Sequence, residues 1–465
     1  MDSSKPNLIF ITFDSGRADH MGFMGYRKPT TPFLDSLAKK GTYFKNAFST
    51  GPGSSVSFTG IFTSTYPLDY GGYSYIDKPR VLLSEALKEA GYRTIGVHSS
   101  PYLSSYFGYD RGWDEFRYAT YFGSKLKKTI PQNTMSPGLR KGTVKSRVLK
   151  RSALTYRWLK NYLPPLALIF KIIEKVFLFI RKILKDIVEF KPAFYIAAEI
   201  NEEVRKLLPS QPEKPLFLWI HYLDAHVPYA LFAKKQDRLW LKIQYYLADS
   251  LAYLFGDSPF FNRLFIPLYI RLYDASLRYV DDHIQQLLEY LDSLGINDKN
   301  SIFVFCADHG EAFLEHGGFG HSQMLFNVNI RVPLIFYGPR YLPPSQAIER
   351  PVSLIDISPT ILNLAGASQP ESYKGRNLFS NEEREVVSQA SECEGDLTGA
   401  VFTGITIIRD GYKLTHWKNK HSLFALDDIE EKNNLYEESK EIVKNLDLRI
   451  RDYEPKGFQS QLSQT

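Results

Sequence analysis

The sequence is short of cysteine and of long uninterrupted apolar runs, and each shortage removes a class of protein. Two cysteines, Cys306 and Cys393, in 465 residues cannot build a disulfide framework or a thiolate zinc cluster, so a reducing compartment is expected. No run of about 18 uncharged apolar residues occurs, which argues against a spanning helix. The opening Met1-Asp-Ser-Ser-Lys-Pro6 leads into Asn7-Leu-Ile-Phe-Ile-Thr-Phe-Asp14. That apolar stretch is too short for a secretory leader and lacks a small-residue cleavage site, so it reads as a buried strand. The expected location is the cytoplasm, either free or peripheral at a membrane. No internal repeat is found. With 44% hydrophobic, 14% aromatic and 23% charged residues, the chain is a folded globular protein with ample core.

Charge is unevenly placed. The net +6 conceals a segment, residues 121–190, with 16 Lys and Arg against only Glu174, Asp186 and Glu189; it carries +13 and leaves −7 for the rest. Within 163–190, Lys171, Lys175, Arg181, Lys182 and Lys185 recur at helical intervals opposite Ile- and Phe-rich positions. A basic polar face under an apolar one suits an anionic membrane surface, because apolar burial and head-group attraction add. The same pattern also fits a helix packed on its own domain or on a second subunit. Nucleic acid is not an expected partner, since no recognised binding module accompanies the charge.

Strand and helix signals alternate: strands at about Leu8–Phe13, Thr94–His98, Leu216–Tyr222, Ser301–Cys306 and Val332–Tyr337, with helices near Pro32–Lys40, Val81–Ala90 and Asp274–Leu294. The pattern predicts an α/β fold with a central, mostly parallel sheet flanked by helices, in which ligands bind at the carboxyl ends of strands. The expected organisation is a catalytic α/β domain over 1–377 and a small C-terminal subdomain with a short antiparallel sheet over 378–454. A frayed tail follows at 455–465. Two stretches, about 121–213 and 232–266, read as insertions or lids.

Three strand ends present polar residues with coherent chemistry. The first strand ends in Asp14-Ser15-Gly16, the Ser301 strand in Asp308-His309-Gly310-Glu311, and the Leu216 strand in His221-Tyr-Leu-Asp224-Ala-His226. Oxygen and imidazole donors suit Zn²⁺ or Mn²⁺, and carboxylates alone suit Mg²⁺ or Ca²⁺. An Asp after a strand is also a common helix cap, so recurrence at several strand ends carries the weight. Ser49-Thr-Gly-Pro-Gly-Ser54-Ser55-Val-Ser57 is a Gly/Pro turn running into a hydroxyl-rich helix start. Backbone N–H groups there attract an anion, and a hydroxyl there is either an N-cap or a nucleophile.

These residues resemble the sulfatase family within the alkaline phosphatase superfamily. The likeness runs in order through Pro6–Gly22, Thr31-Pro-Phe-Leu-Asp35, Phe44-Lys-Asn-Ala-Phe48, Ala307-Asp308-His309-Gly310-Glu311 with Glu315-His316-Gly317, Arg331-Val-Pro-Leu-Ile335, Val352–Thr360 and Leu423–Leu435. The family's nucleophile motif, Cys or Ser-x-Pro-Ser-Arg, lies nine residues before a Thr that is here Thr63, which places Ser54 at the nucleophile. Its Pro becomes Val56 and its Arg becomes Phe58, so conversion of residue 54 to formylglycine is not expected. Ser54-Ser-Val-Ser57 is similar to the Thr-Ala-Val-Ser of phosphoethanolamine transferases, relatives that share a hydroxyl nucleophile with lipoteichoic acid synthases.

The resemblance implies a divalent metal (Zn, Mn, Ca or Mg) held by Asp14, Ser54, Asp308 and His309. It implies catalytic or substrate-contacting roles for His321 and His226. Arg17 either adds positive charge for the anionic ester or makes a structural salt bridge. Ser15 stands where many sulfatases have a second metal Asp. His221 and Asp224 are expected behind the ligands rather than among them. The expected activity is hydrolysis of a sulfate or phosphate ester through a seryl nucleophile. The alternatives are phosphoryl transfer to lipid or glycan acceptors, or a membrane-peripheral binding protein whose site has decayed.

Overall fold

The computed structural model describes residues 5–73, 75–77, 79–119, 194–227, 229, 259–321, 324–393, 400–418 and 420–454. The basic segment with its expected amphipathic helix at 163–190, most of the aromatic stretch at 232–266, and the tail lie outside the described residues. Among the described residues, no helix is long and apolar enough to cross a membrane.

An eight-stranded sheet organises the fold. Its strands in chain order are Asn7–Phe13 (β1), Thr42–Phe44 (β2), Arg93–His98 (β3), Glu115–Tyr118 (β4), Leu216–Tyr222 (β5), Ser301–Ala307 (β6), Leu334–Tyr337 (β7) and Gln346–Ile348 (β8), and they lie in the order β8-β2-β7-β6-β1-β5-β3-β4. All neighbours pair in parallel except β7, which runs against both β6 and β2. Strands β5 and β6 are buried at every position, and β1 at every position after Asn7. Near-continuous apolar runs such as Leu-Ile-Phe-Ile in β1 are what a parallel strand covered on both faces requires.

Side chains alternate across β5, and the two faces meet different helices. Trp219 packs at 5.7 Å on Phe58 and 4.9 Å on Phe62, both on the helix Ser54–Thr63, and at 5.8 Å on Trp113. On the opposite face, the Tyr222 hydroxyl donates to Asn201 of the helix Ala197–Leu207 at 2.6 Å. That helix closes the sheet from within the stretch read from sequence as an insertion. A third helix spans Pro259–Ser293 across Pro267, starting well before the expected Asp274. Its Asp281 accepts the Phe33 and Leu34 backbone N–H groups at 2.8 and 2.9 Å, capping the helix Pro32–Ala38.

The C-terminal part is a four-stranded antiparallel sheet of Val386–Cys393 (β9), Ala400–Arg409 (β10), Tyr412–Trp417 (β11) and Lys420–Ala425 (β12), covered by the helix Lys440–Ile450. It buttresses the turn before Ser54: Ser388 Oγ donates to the Ser49 carbonyl at 2.6 Å, and Gln389 N–H donates to the Thr50 carbonyl at 2.8 Å. Val56 is buried in this second core alongside Val387, Phe402 and Leu423.

Candidate active site

Strand register assembles the site. Phe13 lies opposite Tyr222 on one side and Ala307 on the other, so Asp14 and Asp308 emerge side by side one residue beyond the ladder. Asp14 N–H still donates to the Tyr222 carbonyl at 2.9 Å. Ser54 is the first residue of its helix, with Gly53 at the N-cap, so its hydroxyl is not used as a cap. It donates to Asp14 Oδ2 at 3.0 Å and stands 3.3 Å from His309 Nε2.

Hydrogen bonds fix which nitrogen each imidazole offers. His309 Nδ1 must donate to the Gly310 carbonyl, at 2.8 Å, which turns Nε2 towards the acids, 3.8 Å from Asp14 Oδ1 and 3.6 Å from Asp308 Oδ2. The Thr12 hydroxyl receives Trp219 Nε1–H at 3.1 Å and donates to the Ile220 carbonyl at 3.1 Å, so it can only accept from His221 Nδ1, at 3.0 Å. His221 Nε2 is therefore a bare lone pair, fully buried, without a hydrogen-bond partner among the described residues and 3.9 Å from Asp14 Oδ2. Phe58 packs edge-on against the same ring at 4.8 Å and holds its plane.

Asp14, His221 and Asp308 offer ligand atoms that all lie within 4.8 Å of one another. The electrostatics fit a cation there. Burial acts to raise the Asp14 carboxyl, but the imidazoles of His226, His309, His221 and His321 hold it well below the usual carboxylate range. Burial pushes the Asp308 carboxyl up to about 7 against the pull of His309, with Asp14 adding to the rise. Burial brings His221 down to about 4, keeping it neutral and able to ligate. Two adjacent carboxylates in a dry site resist carrying charge together, and a divalent ion reverses that. Asp308 Oδ2, like His221 Nε2, has no hydrogen-bond partner among the described residues.

Ser15 clamps both acids. Its hydroxyl donates to Asp14 Oδ1 at 2.5 Å and its N–H to Asp308 Oδ1 at 3.2 Å, which leaves Asp14 Oδ2 to the Ser54 hydroxyl and Asp308 Oδ2 without a partner among the described residues. The residue holds a left-handed conformation, φ 57°, that costs a non-glycine residue energy. Ser15→Ala is expected to weaken Zn²⁺ or Mn²⁺ binding about tenfold by calorimetric titration. Unchanged affinity would remove the clamp from the account.

The remaining residues divide. His226 donates from Nδ1 to the Val227 carbonyl at 2.6 Å, and its ring lies 4.9 Å from that of His321, which lies 5.1 Å from His309. Desolvation works against charge on His321, but Glu311 at 3.6 Å from its Nδ1, with Asp14 and Asp308, pushes it up to about 9. The Arg17 guanidinium is engaged by Asp19, by Glu315 and by the Glu311 carbonyl at 3.0 Å. Asp224 Oδ1 accepts the Ala197 N–H at 3.0 Å, at the start of the helix Ala197–Leu207, so this acid caps a helix. The sequence reading set His221 behind the ligands and gave Ser15 no positioning role. The signal for His221 was its position at the carboxyl end of β5, beside β1.

Comparisons with known proteins bear on this geometry. A family model described as Sulfatase matches residues 6–367, and one described as N-sulphoglucosamine sulphohydrolase, C-terminal, matches residues 314–456. The uncharacterized sulfatase YidJ of Escherichia coli is 24% identical over 472 residues, covering 97% of this chain and 85% of that protein. Two solved structures share the fold at 17% identity. The phosphonate monoester hydrolase of Agrobacterium radiobacter gives a TM-score of 0.64, covering 96% of this chain and 94% of that one. A protein in complex with its substrate D-glucosamine-2-N,6-O-disulfate gives 0.66, covering 98% and 99%.

Proposed function

Because this chain belongs to the sulfatase family, with its sulfatase-like ester hydrolase fold, we propose that it cleaves a sulfate or phosphate ester by transferring the acid group to Ser54. The observation that carries the reading is the placement of Ser54 Oγ against Asp14 Oδ2 and His309 Nε2, at 3.0 and 3.3 Å. Asp14, Asp308 and His309, with Ser54 and His221, would hold a divalent ion there; when bound, it supplies positive charge that lowers the hydroxyl pKa and offsets charge on the substrate.

The chain's own residues supply the rest. The Ser54 proton leaves along its hydrogen bond to Asp14 Oδ2. Ser54 Oγ then forms a bond to phosphorus or sulfur as the bond to the leaving alcohol breaks, and a proton from His321 reaches the departing oxygen. The first turn of the Ser54–Thr63 helix offers N–H donors to the non-bridging oxygens. His226 lines the same space. Water, or an acceptor alcohol, then cleaves the Ser54 ester, giving its proton to His321, while Asp14 returns the first proton to the Ser54 oxygen.

The departures at Val56 and Phe58 favour an unmodified serine. Both side chains are buried, Val56 in the C-terminal core and Phe58 against His221, so each departure from the family's motif is built into apolar packing, where an arginine at 58 would bring an unpaired charge. This leaves phosphoryl transfer to a lipid or glycan hydroxyl as the second reading. Mass spectrometry of the peptide containing residue 54 is the test: intact serine is expected, with a phospho- or sulfo-seryl adduct after quenching turnover of an aryl ester. Formylglycine at that position would overturn the seryl mechanism.

A further inference from the structure

We propose that Glu311 is a positioning residue for His321, gripping the imidazole at Nδ1 so that Nε2 faces the group transferred to Ser54; this rests on the seryl-transfer reading above. Glu311 is fully buried, and neither carboxylate oxygen has a hydrogen-bond partner among the described residues. An enclosed carboxylate without a partner is strongly unfavourable, so its surroundings must offer it a cation or a donor. Arg17 is close but committed: it reaches only the Glu311 backbone carbonyl, and otherwise binds Asp19 and Glu315.

Among the described residues, the donor that faces it is His321, and the backbone aims it there. Ala312–Phe313 and Phe319–Gly320 form a two-stranded antiparallel ladder in which Ala312 pairs with Gly320 and Phe313 with Phe319. The next step of that register sets residue 311 opposite residue 321. His321 Nδ1 lies 3.6 Å from Glu311 Oε2, and it too lacks a hydrogen-bond partner among the described residues. Gly320 permits the approach: a Cβ there would stand 3.1 Å from Glu311 Oε1, on a backbone at φ 77°. The His321 ring also neighbours those of His309 and His226, at 5.1 and 4.9 Å. The imidazole thus sits between a buried carboxylate and the reaction space, and a short inward movement converts the 3.6 Å approach into a hydrogen bond that prevents the ring from flipping.

The test is a double-mutant cycle on metal-loaded protein, read by calorimetric binding of inorganic phosphate. Glu311→Gln and His321→Asn are each expected to weaken binding about tenfold. The double variant is expected to bind no more weakly than His321→Asn, because the two residues act as one unit. His321→Lys, whose ammonium can reach the same carboxylate, should stay within about threefold of the wild type; should Glu311→Gln fail to fold, the contrast between His321→Lys and His321→Asn decides. Metal occupancy should be full throughout. Multiplying losses, a Glu311→Gln variant that binds like the wild type, a loss of metal in that variant, equal losses in His321→Lys and His321→Asn, or a wild type that does not bind phosphate would each overturn the assignment. Phosphate binding needs no Ser54 chemistry, so the two claims fail separately: coupling in the cycle together with no seryl adduct in the wild type by mass spectrometry sinks the nucleophile and leaves the positioning role standing.

Discussion

Ser54→Ala is expected to lose ester turnover by on the order of 10⁴- to 10⁶-fold, the range seen when a hydrolase loses its nucleophile, while remaining folded. Stability should barely change. Ser54 is not the cap of its helix, which is Gly53, and Ala is the best residue for a helix interior. The Ser54 hydroxyl's hydrogen bonds run to Asp14 and His309, so its removal empties the reaction centre and little else. Metal binding should survive with a loss of about tenfold, since the carboxylates and imidazoles remain. Ser55→Ala is the control: one position along the same helix, it should retain activity. Steady-state turnover of aryl phosphate and aryl sulfate, together with metal analysis and melting curves, checks all of this. If Ser55→Ala proves inactive and Ser54→Ala active, the register of the nucleophile is wrong by one residue.

The parts of this site legible in the sequence are those fixed by local chain order. Asp14 and Asp308 end apolar strands, and Ser54 follows a Gly/Pro turn into a helix; the structure brings all three together with His309. What was not legible depends on pairs of residues hundreds of positions apart. His221 presents a bare Nε2 because Thr12, on the neighbouring strand, and Trp219 settle the tautomer, and no spacing rule contains that register. The pattern His221-x-x-Asp224-x-His226 gives three similar-looking groups, yet Asp224 turns away to cap a helix. Arg17 reads equally as charge for the ester or as a structural salt bridge, and the choice falls to Glu315, 298 residues away in the chain, which pairs with it. The fold follows the same division. Apolar runs announced the parallel core, whereas the reversed direction of β7 is a property of pairing that its own four residues do not encode.

Asp308→Asn should stabilise the metal-free protein and lose most of that advantage once metal is present. Asp308 Oδ1 accepts the Ser15 and His309 N–H groups at 3.2 and 2.9 Å, and an asparagine carbonyl can keep both bonds. The other oxygen becomes an NH₂ that offers hydrogens where Oδ2 offered a lone pair, so metal affinity should fall by on the order of 10²-fold or more, and turnover with it. Without metal the same change relieves a burden. Burial raises the folded carboxyl to about 7 from 3.8, so the ionised form destabilises the fold at pH above about 7, progressively less as pH falls, and not at all below 3.8. Metal-free Asp308→Asn should therefore melt above metal-free wild type at pH 8, and that gap should narrow as the pH is lowered towards 4. With metal in excess the gap should shrink by most of its width, because ligand at a hundred times the wild type's Kd adds about 2.7 kcal/mol to the wild type and only about 0.4 kcal/mol to a variant bound a hundredfold more weakly. Melting curves at both pH values, with chelator and with Zn²⁺ or Mn²⁺, read all four cases. A variant that keeps the wild type's metal stoichiometry, or that melts lower than wild type under chelation at pH 8, would show that this buried acid is not held in place for a cation.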